Sequence, residues 1–247
     1  MGKIWQKCWN ALNYIYGACQ CKSSNRLRSL KEIHTGRCFI IGNGPSLTDS
    51  DLQRLMQLGE VTFACNSLIK LFDEKQFRPT YYFAQDNKVI LDNKEEIERY
   101  EGMRFIKAHY ASRYHMKGVT YYNMLFPQSP IGFSSDISRV VYSGQTVTYS
   151  MIQFAAYMGF KEIYLIGVDC NYSAKEDVIT KESYFDPRMY NSSRSYAAPE
   201  VDTNLKAYAR ARQVCDKAGI RIYNATRGGK LEIFERADLD AVLAQKH

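Results

Sequence analysis

Small polar residues follow three short apolar segments of the sequence, at Gly42-Asn43-Gly44, at Asn66-Ser67 and at Gln85-Asp86. Uncharged apolar segments of this length are typical of strands that are buried on both faces of a parallel sheet. The carboxyl ends of such strands meet at one edge of the sheet, where ligands bind in open α/β proteins. Asparagine amides there can donate to a phosphate and accept from ribose hydroxyls without adding charge. The sequence therefore predicts a nucleotide site at these three strand ends.

Gly42, Gly44 and Ser46 belong to a loop that joins the first strand to a helix. Glycine at both positions would let backbone amides approach a phosphate, and the following helix would point its positive end at the same charge. The loop has neither the third glycine of a dinucleotide fingerprint nor the lysine of a Walker loop. An ordinary tight strand-to-helix turn is therefore the alternative interpretation.

A second anion or base-edge site is predicted just before a long apolar helix, where Gly144 and Thr146 stand. Backbone amides and hydroxyls at the start of a helix favour negative charge. The alternative is that Thr146 serves as the helix cap. Both roles are compatible with each other.

Two acid pairs, Asp49-Ser50-Asp51 and Asp238-Leu239-Asp240, have the D-x-D pattern of metal-dependent sugar transferases. Both fall at predicted helix starts, where carboxylates are common caps, so we expect neither a metal ion nor a bound cofactor. His109 and His115 are candidates for a general base. Isolated histidines are more often structural, and the sequence does not choose between the two readings.

Strands alternate with helices over most of the chain, which predicts an α/β fold. We expect a single Rossmann-like domain over residues 37–247, with a mainly parallel twisted sheet and helices on both faces. The predicted strands cover residues 38–41, 61–65, 80–84, 103–106, 119–122, 162–169 and 220–226, and the main helices cover 49–58, 87–100, 146–158, 202–218 and 237–244. Residues from about 170 to 200 lack periodicity and are too long for a passive connection, so they are interpreted as a lid insertion.

We expect residues 1–36 to form a basic, amphipathic helical segment in front of this domain. Its apolar residues recur at helical spacing, with lysines beside them: Ile4, Trp5, Cys8, Trp9, Leu12, Ile15 and Tyr16. An aromatic face with basic neighbours is typical of a helix that lies in a membrane interface. The alternative is a helix that docks on its own domain or on a second subunit of a homo-oligomer.

The 247 residues carry a formal net charge of +7, which favours anionic partners. Nucleic acid is not expected among them, because there is no run of five like charges and no zinc-finger spacing. Seven cysteines, an odd number, indicate reduced thiols and not a disulfide framework. No signal peptide or membrane span is evident. We expect a cytoplasmic protein that is peripheral on the inner face of the membrane if the N-terminal helix binds lipid.

Three motifs in combination resemble one superfamily: residues 41–47, residues 64–67 and residues 159–169, which read IGNGPSL, ACNS and GFKEIYLIGVD. It contains bacterial sialyltransferases that use CMP-sialic acid and flagellin-modifying nonulosonic acid transferases. It also contains many uncharacterised proteins similar to an archaeal hydroxymethylpterin diphosphokinase. The resemblance covers about residues 37–239.

The resemblance implies a role for each strand end. Asn43 and Asn66 would hold the nucleotide and its phosphate, and Gln85 or Asp86 would contact the donor. Gly144 and Thr146 would lie on the cytidine side, and Ser67, Asp169 and Asn171 complete the predicted donor site. Tyrosines of the lid would hold the departing phosphate with arginines as helpers: Tyr172, Tyr184, Tyr190, Tyr196, Arg188 and Arg194.

One departure from the family concerns the base. The sialyltransferases carry a histidine late in the lid, whereas this chain has no histidine between His115 and His247. The nearest ionisable match is Glu200, with Asp202 beside it, and a carboxylate can also deprotonate an acceptor hydroxyl. Many of the uncharacterised relatives have a His-Phe pair in the lid where this chain has Tyr184-Phe185. The candidate catalytic residues are therefore Glu200, Asp202 and Tyr184.

The resulting hypothesis is an inverting, metal-independent glycosyltransferase for surface glycan synthesis. Its donor would be a CMP-activated sugar, sialic acid or a related nonulosonic acid, and its acceptor a glycan or lipid-linked glycan. One alternative is a pterin or nucleotide pyrophosphokinase that uses ATP and Mg²⁺, with Asp86 and Asp169 as ligands. The other is a nucleotide-binding protein without catalysis, motivated by the missing histidine.

Overall fold

The computed structural model describes residues 24–108, 116–126, 130–171, 180–191 and 201–245. Its strands are β1 (Arg37–Ile41), β2 (Thr62–Cys65), β3 (Tyr81–Ala84), β4 (Met103–Lys107), β5 (Thr120–Tyr122), β6 (Met124–Leu125), β7 (Val141–Tyr142), β8 (Glu162–Ile166), β9 (Arg221–Asn224) and β10 (Glu235–Arg236). Its α-helices are α1 (Ser24–Arg28), α2 (Asp49–Gln57), α3 (Asn87–Asp92), α4 (Lys94–Arg99), α5 (Val147–Met158), α6 (Val201–Lys217) and α7 (Leu239–Ala244). Short 3₁₀ helices cover Asn66–Leu71, Lys181–Ser183 and Pro187–Met189.

Eight strands form one sheet in the order β10-β9-β8-β1-β2-β3-β4-β5, and β6 pairs with β7 separately. Every strand pair is parallel, as the alternation of strands and helices predicted. The side chains of β1 alternate between two apolar clusters. Cys38 and Ile40 join the cluster that contains residues of α1, α5 and α6. Phe39 and Ile41 join the cluster that contains residues of α2, α3, α4 and α7. The prediction of a single α/β domain with helices on both faces is confirmed.

β1, the first strand in the sequence, lies near the centre of the sheet, and the later strands lie on both sides of it. β2, β3, β4 and β5 follow on one side of β1, and β8, β9 and β10 lie on the other. The order therefore reverses between β1 and β8, which are paired from Arg37 opposite Glu162 to Ile41 opposite Ile166. Such a reversal opens a crevice at the carboxyl edge of an open parallel sheet. Here the loops after β1 and β8 meet at that reversal point and bond to each other.

The predicted helix over residues 87–100 is wrong, because two helices, α3 and α4, take its place. Asn93 lies between them with φ −115° and ψ 23°, outside the helical region. Its fully buried side chain donates from Nδ2 to the Val89 carbonyl at 2.6 Å and to Ser67 Oγ at 3.4 Å. An asparagine that bonds its own backbone competes with the helix, and here it ends α3.

The predicted N-terminal helix falls mainly on residues 1–23, which lie outside the described residues. In the part of that segment that is described, α1 buries Leu27 in the cluster shared with α5 and α6. Across the described ranges, no helix is long and apolar enough to cross a membrane.

Candidate functional site

The three polar strand ends lie side by side because β1, β2 and β3 are neighbours in the sheet. Asn43 and Asn66 follow β1 and β2, and the Cys65 thiol, at the end of β2, lies 3.9 Å from Asn43 Oδ1. Gln85 follows β3, and its Oε1 accepts a 2.7 Å hydrogen bond from Ser150 Oγ of α5. The start of α5 is thereby fixed against the same edge. The structure brings together the residues that the sequence analysis selected, and their roles stay predictions.

The loop after β1 packs tightly on the loop after β8. The amides of Gly42 and Gly44 donate to the carbonyls of Ile166 and Gly167 at 2.8 and 2.9 Å. A Cβ atom at Gly42 would collide with the Gly167 carbonyl, and one at Gly44 with the carboxylate of Asp169. The glycines therefore permit close approach of two backbones. Our expectation that these two amides face a phosphate is wrong, because both are already donated within the protein.

Asp169 lies just beyond β8 and faces the loop after β1. Its Oδ2 accepts a 2.9 Å hydrogen bond from Ser46 Oγ, and its carbonyl accepts from the Lys230 amide at 2.7 Å. Burial raises the pKa of this carboxyl, and the bond from Ser46 opposes that rise. Asn171, two residues later, is exposed. Ser46 and Asp169 thus join the two loops at the reversal point.

Asn66 has two features that ordinary structural residues avoid. Its backbone is left-handed, with φ 53°, although it is not a glycine. Its Oδ1 atom is buried and has no hydrogen-bond partner among the described residues. The Asn66 carbonyl accepts from Tyr82 Oη at 2.8 Å, which holds the strained turn in place. Buried polar atoms are nearly always hydrogen-bonded, so Asn66 Oδ1 is a candidate acceptor for a ligand donor at this edge.

Asp86 and the neighbouring Ser67 are engaged within the protein. Asp86 caps α3, because its Oδ1 accepts from the Lys88 and Val89 amides at 2.7 and 3.2 Å. Ser67 is buried, and its hydroxyl accepts the bond from Asn93. Both residues help to shape the edge of the sheet, and donor contact through Gln85 or Asp86 remains a prediction.

The segment before α5 has an unusual backbone. Gly144 and Gln145 are both left-handed, with φ 49° and 62°. Thr146 occupies the N-cap position of α5, but its side chain makes no capping hydrogen bond. Thr146 therefore stands at the N-cap position by its backbone alone, and its side chain does not cap the helix. The hydroxyl lies at the amino end of a twelve-residue helix, where an anion or a polar base edge is stabilised.

The described part of the lid, residues 180–191, covers the same edge from the opposite face of the sheet. The Phe185 amide donates to the Asn43 carbonyl at 2.8 Å, and Tyr184 and Phe185 pack on the cluster that contains Leu47 and Leu52. The rings of Tyr184 and Tyr190 are 6.3 Å apart. Burial raises the pKa of Tyr184 to about 12, so its phenol stays a hydrogen-bond donor at neutral pH.

Arg188, predicted as a charged helper in the lid, is held by two carboxylates. Its Nε donates to Asp186 Oδ1 at 2.8 Å, and its Nη2 to Glu74 Oε1 at 3.0 Å. These bonds raise the pKa of the guanidinium and lower the pKa of Asp186 to about 2. The two acids take four of the five N–H donors of Arg188, which leaves one donor for a phosphate.

Several predicted site residues fall outside the described residues. They are His109, His115, Tyr172, Arg194, Tyr196 and Glu200. Asp202, the second candidate base, is exposed in the first turn of α6. The identity of the base therefore stays a prediction.

The acid pairs at the helix starts have the capping roles that were expected. Asp51 and Thr48 form a reciprocal capping box on α2, and Arg227 bonds Asp51 Oδ2 at 2.7 Å. Asp238 caps α7 by accepting from the Ala241 amide at 2.8 Å. In the part of the chain that the structure describes, no three His, Cys, Asp or Glu side chains are grouped closely enough to hold a metal ion.

Lys107 is a candidate site residue that the sequence analysis missed. It is the last residue of β4, the strand next to β3, and only 4% of it is exposed. Burial lowers the pKa of its ammonium group to about 8, and Asp86 acts in the opposite direction. A signal was present in the sequence, because Lys107 directly follows the predicted strand 103–106, as Asn66 follows the predicted strand 61–65.

The fold and part of the sequence match known proteins. A family model described as "6-hydroxymethylpterin diphosphokinase MptE-like" matches residues 11–175, and no curated protein sequence matches the chain. The MAf glycosyltransferase from Magnetospirillum magneticum AMB-1 superposes with a TM-score of 0.57 at 19% identity, over 85% of this chain. The chain spans about a third of that protein's length, 35%. This likeness shows a glycosyltransferase-like fold.

A second solved structure is the sialyltransferase CstII from Campylobacter jejuni, in complex with cytidine-5'-monophosphate. It has a TM-score of 0.47 and 17% identity, and the match covers 83% of this chain and 86% of that one.

Proposed function

The chain belongs to the MptE-like family, and from that premise we propose that it is an inverting glycosyltransferase with a CMP-activated sugar as donor. The donor sugar is sialic acid or a related nonulosonic acid, and the acceptor is a glycan or lipid-linked glycan of the cell surface. The glycosyltransferase-like fold supports this proposal. The family also includes proteins described by a different activity, so the site has to carry the argument.

The unpaired Oδ1 atom of Asn66 is the observation that carries the proposal. It lies at the carboxyl edge of the sheet beside Asn43, with the start of α5 on one face and the lid on the other. The groups that line this edge are mainly amides and hydroxyls, which suit a ribose, a cytosine edge and a single phosphate. A leaving group with one phosphate needs less positive charge than a triphosphate does.

The proposed reaction is a single displacement. The acceptor hydroxyl oxygen attacks the anomeric carbon and forms the new glycosidic bond. The bond from that carbon to the CMP phosphate oxygen breaks, and its electron pair leaves with CMP. Glu200 or Asp202 accepts the proton of the acceptor hydroxyl. The phenol of Tyr184, which is protonated at neutral pH, donates a hydrogen bond to the departing phosphate.

A pterin or nucleotide pyrophosphokinase is the second candidate, because the matching family model is described by that activity. It would use Asp86 and Asp169 to hold Mg²⁺ with ATP. Asp86 caps α3 and Asp169 accepts from Ser46, so each carboxylate would have to share its oxygens with the metal ion.

Thermal shift with a nucleotide panel separates these candidates. We expect CMP and CDP to raise the Tm of the protein. For each nucleotide, the rise should be the same in Mg²⁺ as in EDTA. Stabilisation by ATP that requires Mg²⁺, with none by CMP, would instead favour the pyrophosphokinase. If CMP binds, transfer from a CMP-activated sugar is measured for the wild type and for Glu200→Gln and Asp202→Asn. CMP binding without transfer to any glycan acceptor favours the non-catalytic alternative, and full activity in both variants removes the proposed base.

A further inference from the structure

Lys107 combines deep burial with a lack of partners among the described residues. Its ammonium group has no hydrogen bond or ion pair to any residue that the structure describes, and its Nζ atom lies 5.6 Å from the centroid of the Phe126 ring. Buried lysines are normally paired, because an ammonium group loses its hydration without compensation. The burial of Lys107 therefore calls for a compensating charge that the described residues do not place in contact with it.

The sheet register brings Lys107 to the ligand edge. Ala84 of β3 is paired with Ile106 of β4, so Gln85 and Lys107 follow at the same level. Phe83 and Phe105, two residues earlier on each strand, both face the cluster that contains α5. Strand side chains alternate, so Gln85 and Lys107 point to that same face. The bond from Ser150 to Gln85 shows that α5 begins there.

Among the described residues, one carboxylate acts on the charge of Lys107. Asp86 is the carboxylate that favours its charged form, and Tyr122 is its partner on β5. α5 has no charged residue along its whole length. Other cations at or near this edge are committed elsewhere, since Arg188 binds Asp186 and Glu74 and Arg227 binds Asp51.

We propose that Lys107 binds an anionic group of the nucleotide ligand, either its phosphate or the carboxylate of the activated sugar. This inference rests on the nucleotide site of the proposed function, but it does not depend on glycosyl transfer. An anion beside the ammonium group favours its charged form. Because burial leaves part of the Lys107 population neutral near pH 8, binding of the anion draws a proton from solution. A lysine that only fills space would take up none.

Isothermal titration calorimetry measures this uptake directly, by comparing binding enthalpies at pH 8 in two buffers that differ in ionisation enthalpy. With CMP as the probe, we expect uptake of about half a proton, because the pKa of the free ammonium group is about 8. The CMP phosphate does not contribute, since the second pKa of such a group is about 6. Lys107→Arg should keep CMP binding and lose the uptake, because arginine stays charged. Lys107→Met should weaken binding about tenfold or more, as expected for a lost charge-assisted bond.

Lys217→Met is the matched control. It removes one exposed lysine at the end of α6, a helix that is far from β4 in the sequence. It should leave both affinity and uptake unchanged. Methionine is apolar and similar in length, so Lys107→Met should fold, and Lys107→Arg tests the inference independently if it does not.

The two sources of the anion are separated by a second probe, a fluorinated analogue of CMP-sialic acid. Uptake with CMP assigns the phosphate, whereas uptake only with the analogue assigns the carboxylate. ATP is the third probe. Uptake with ATP, lost in Lys107→Arg, would uphold this inference even if CMP failed to bind and the proposed function fell. Nucleotide binding without uptake and with unchanged affinity in Lys107→Met would overturn it, and so would failure of all three probes to bind.

Discussion

At Asn66, stability and ligand binding make opposite demands on one residue. Its left-handed backbone, φ 53°, and its buried, unpaired Oδ1 both destabilise the ligand-free protein. Asn66→Gly removes both costs but also removes the amide. We expect the Tm of the ligand-free variant to rise by about 2 °C, a gain of less than about 1 kcal/mol for a domain of this size. CMP affinity should fall roughly threefold to tenfold, as for one lost hydrogen bond between neutral groups, because Oδ1 can accept only from a ribose hydroxyl or the cytosine amino group.

Gln76→Gly supplies the comparison for this prediction, because Gln76 is exposed and also left-handed, with φ 49°. It should raise Tm by a similar amount and leave CMP affinity unchanged. Thermal unfolding and equilibrium titration of both variants give the answer. Equal affinity in Asn66→Gly and wild type would mean that the Asn66 amide does not contact the nucleotide.

The positions of some single site residues could be predicted from the rule that ligands bind at the carboxyl ends of parallel strands. Asn43, Asn66 and Gln85 lie together because parallel strands end at one edge, which depends only on strand boundaries. The role of Gly44 could not be foreseen, because its close neighbour Asp169 is far away in sequence. The burial of Lys107 depends on the neighbouring strand and on α5, and neither contact is encoded locally.

Arg37 joins three elements of the fold through one buried guanidinium group. It forms an ion pair with Glu60, in which the two side chains are 4% and 8% exposed, and its Nη1 donates to the Val242 carbonyl of α7 at 2.9 Å. In Arg37→Met the Glu60 carboxylate would stay buried without a counter-charge, which costs about 3 kcal/mol or more. We expect the Tm to fall by about 10 °C at pH 7, on the usual scaling for a domain of this size.

Two further variants test whether the unpaired charge is the cause. Arg37→Met combined with Glu60→Gln should recover a large part of the lost Tm, because the double variant buries no uncompensated carboxylate. Arg221→Met breaks the exposed pair with Glu235, 60% and 62% exposed, and should change stability by less than about 1 kcal/mol. A double variant that is no more stable than Arg37→Met alone would assign the loss to packing and to the α7 carbonyls.

Elements were predictable from local sequence wherever local signals agreed. The starts of α2 and α7 follow from their capping residues, and α5 begins at the residue after Thr146. The break at Asn93 was missed because the sequence on both sides favours a helix. What ends α3 is a buried side chain that bonds Val89 and Ser67, and the second partner comes from another element.

For the whole molecule, the alternation of strands and helices was enough to predict one parallel sheet with two covered faces. The alternation did not predict the order of the strands, because that order depends on where the chain crosses back to pair β8 with β1. That crossing decides which loops meet, and hence why Ser46 contacts Asp169 across 123 positions of sequence. Local patterns therefore predicted where a ligand would bind, whereas the contacts between the two loops follow from the topology.

The net charge of +7 and the aromatic N-terminal segment both bear on whether the protein binds a membrane surface. We propose that the apolar residues of the stretch 1–16, with their basic neighbours, hold the enzyme on an anionic membrane surface, close to a lipid-linked acceptor. Tryptophan side chains bury well in the interfacial region of a bilayer, and basic residues are attracted to anionic headgroups. We expect the full chain to sediment with vesicles that contain phosphatidylglycerol, to bind less at high salt, and not to sediment with pure phosphatidylcholine.

Replacing Trp5 and Trp9 by serine in the full chain should abolish that sedimentation, because the apolar contribution is lost while every charge is kept. Binding of CMP by the same variant should be unchanged, which makes it an internal control for folding. Vesicle binding that persists in the variant would show that charge alone attracts the protein. A variant that no longer binds vesicles but also changes its oligomeric state would instead favour docking of the N-terminal segment on a second subunit.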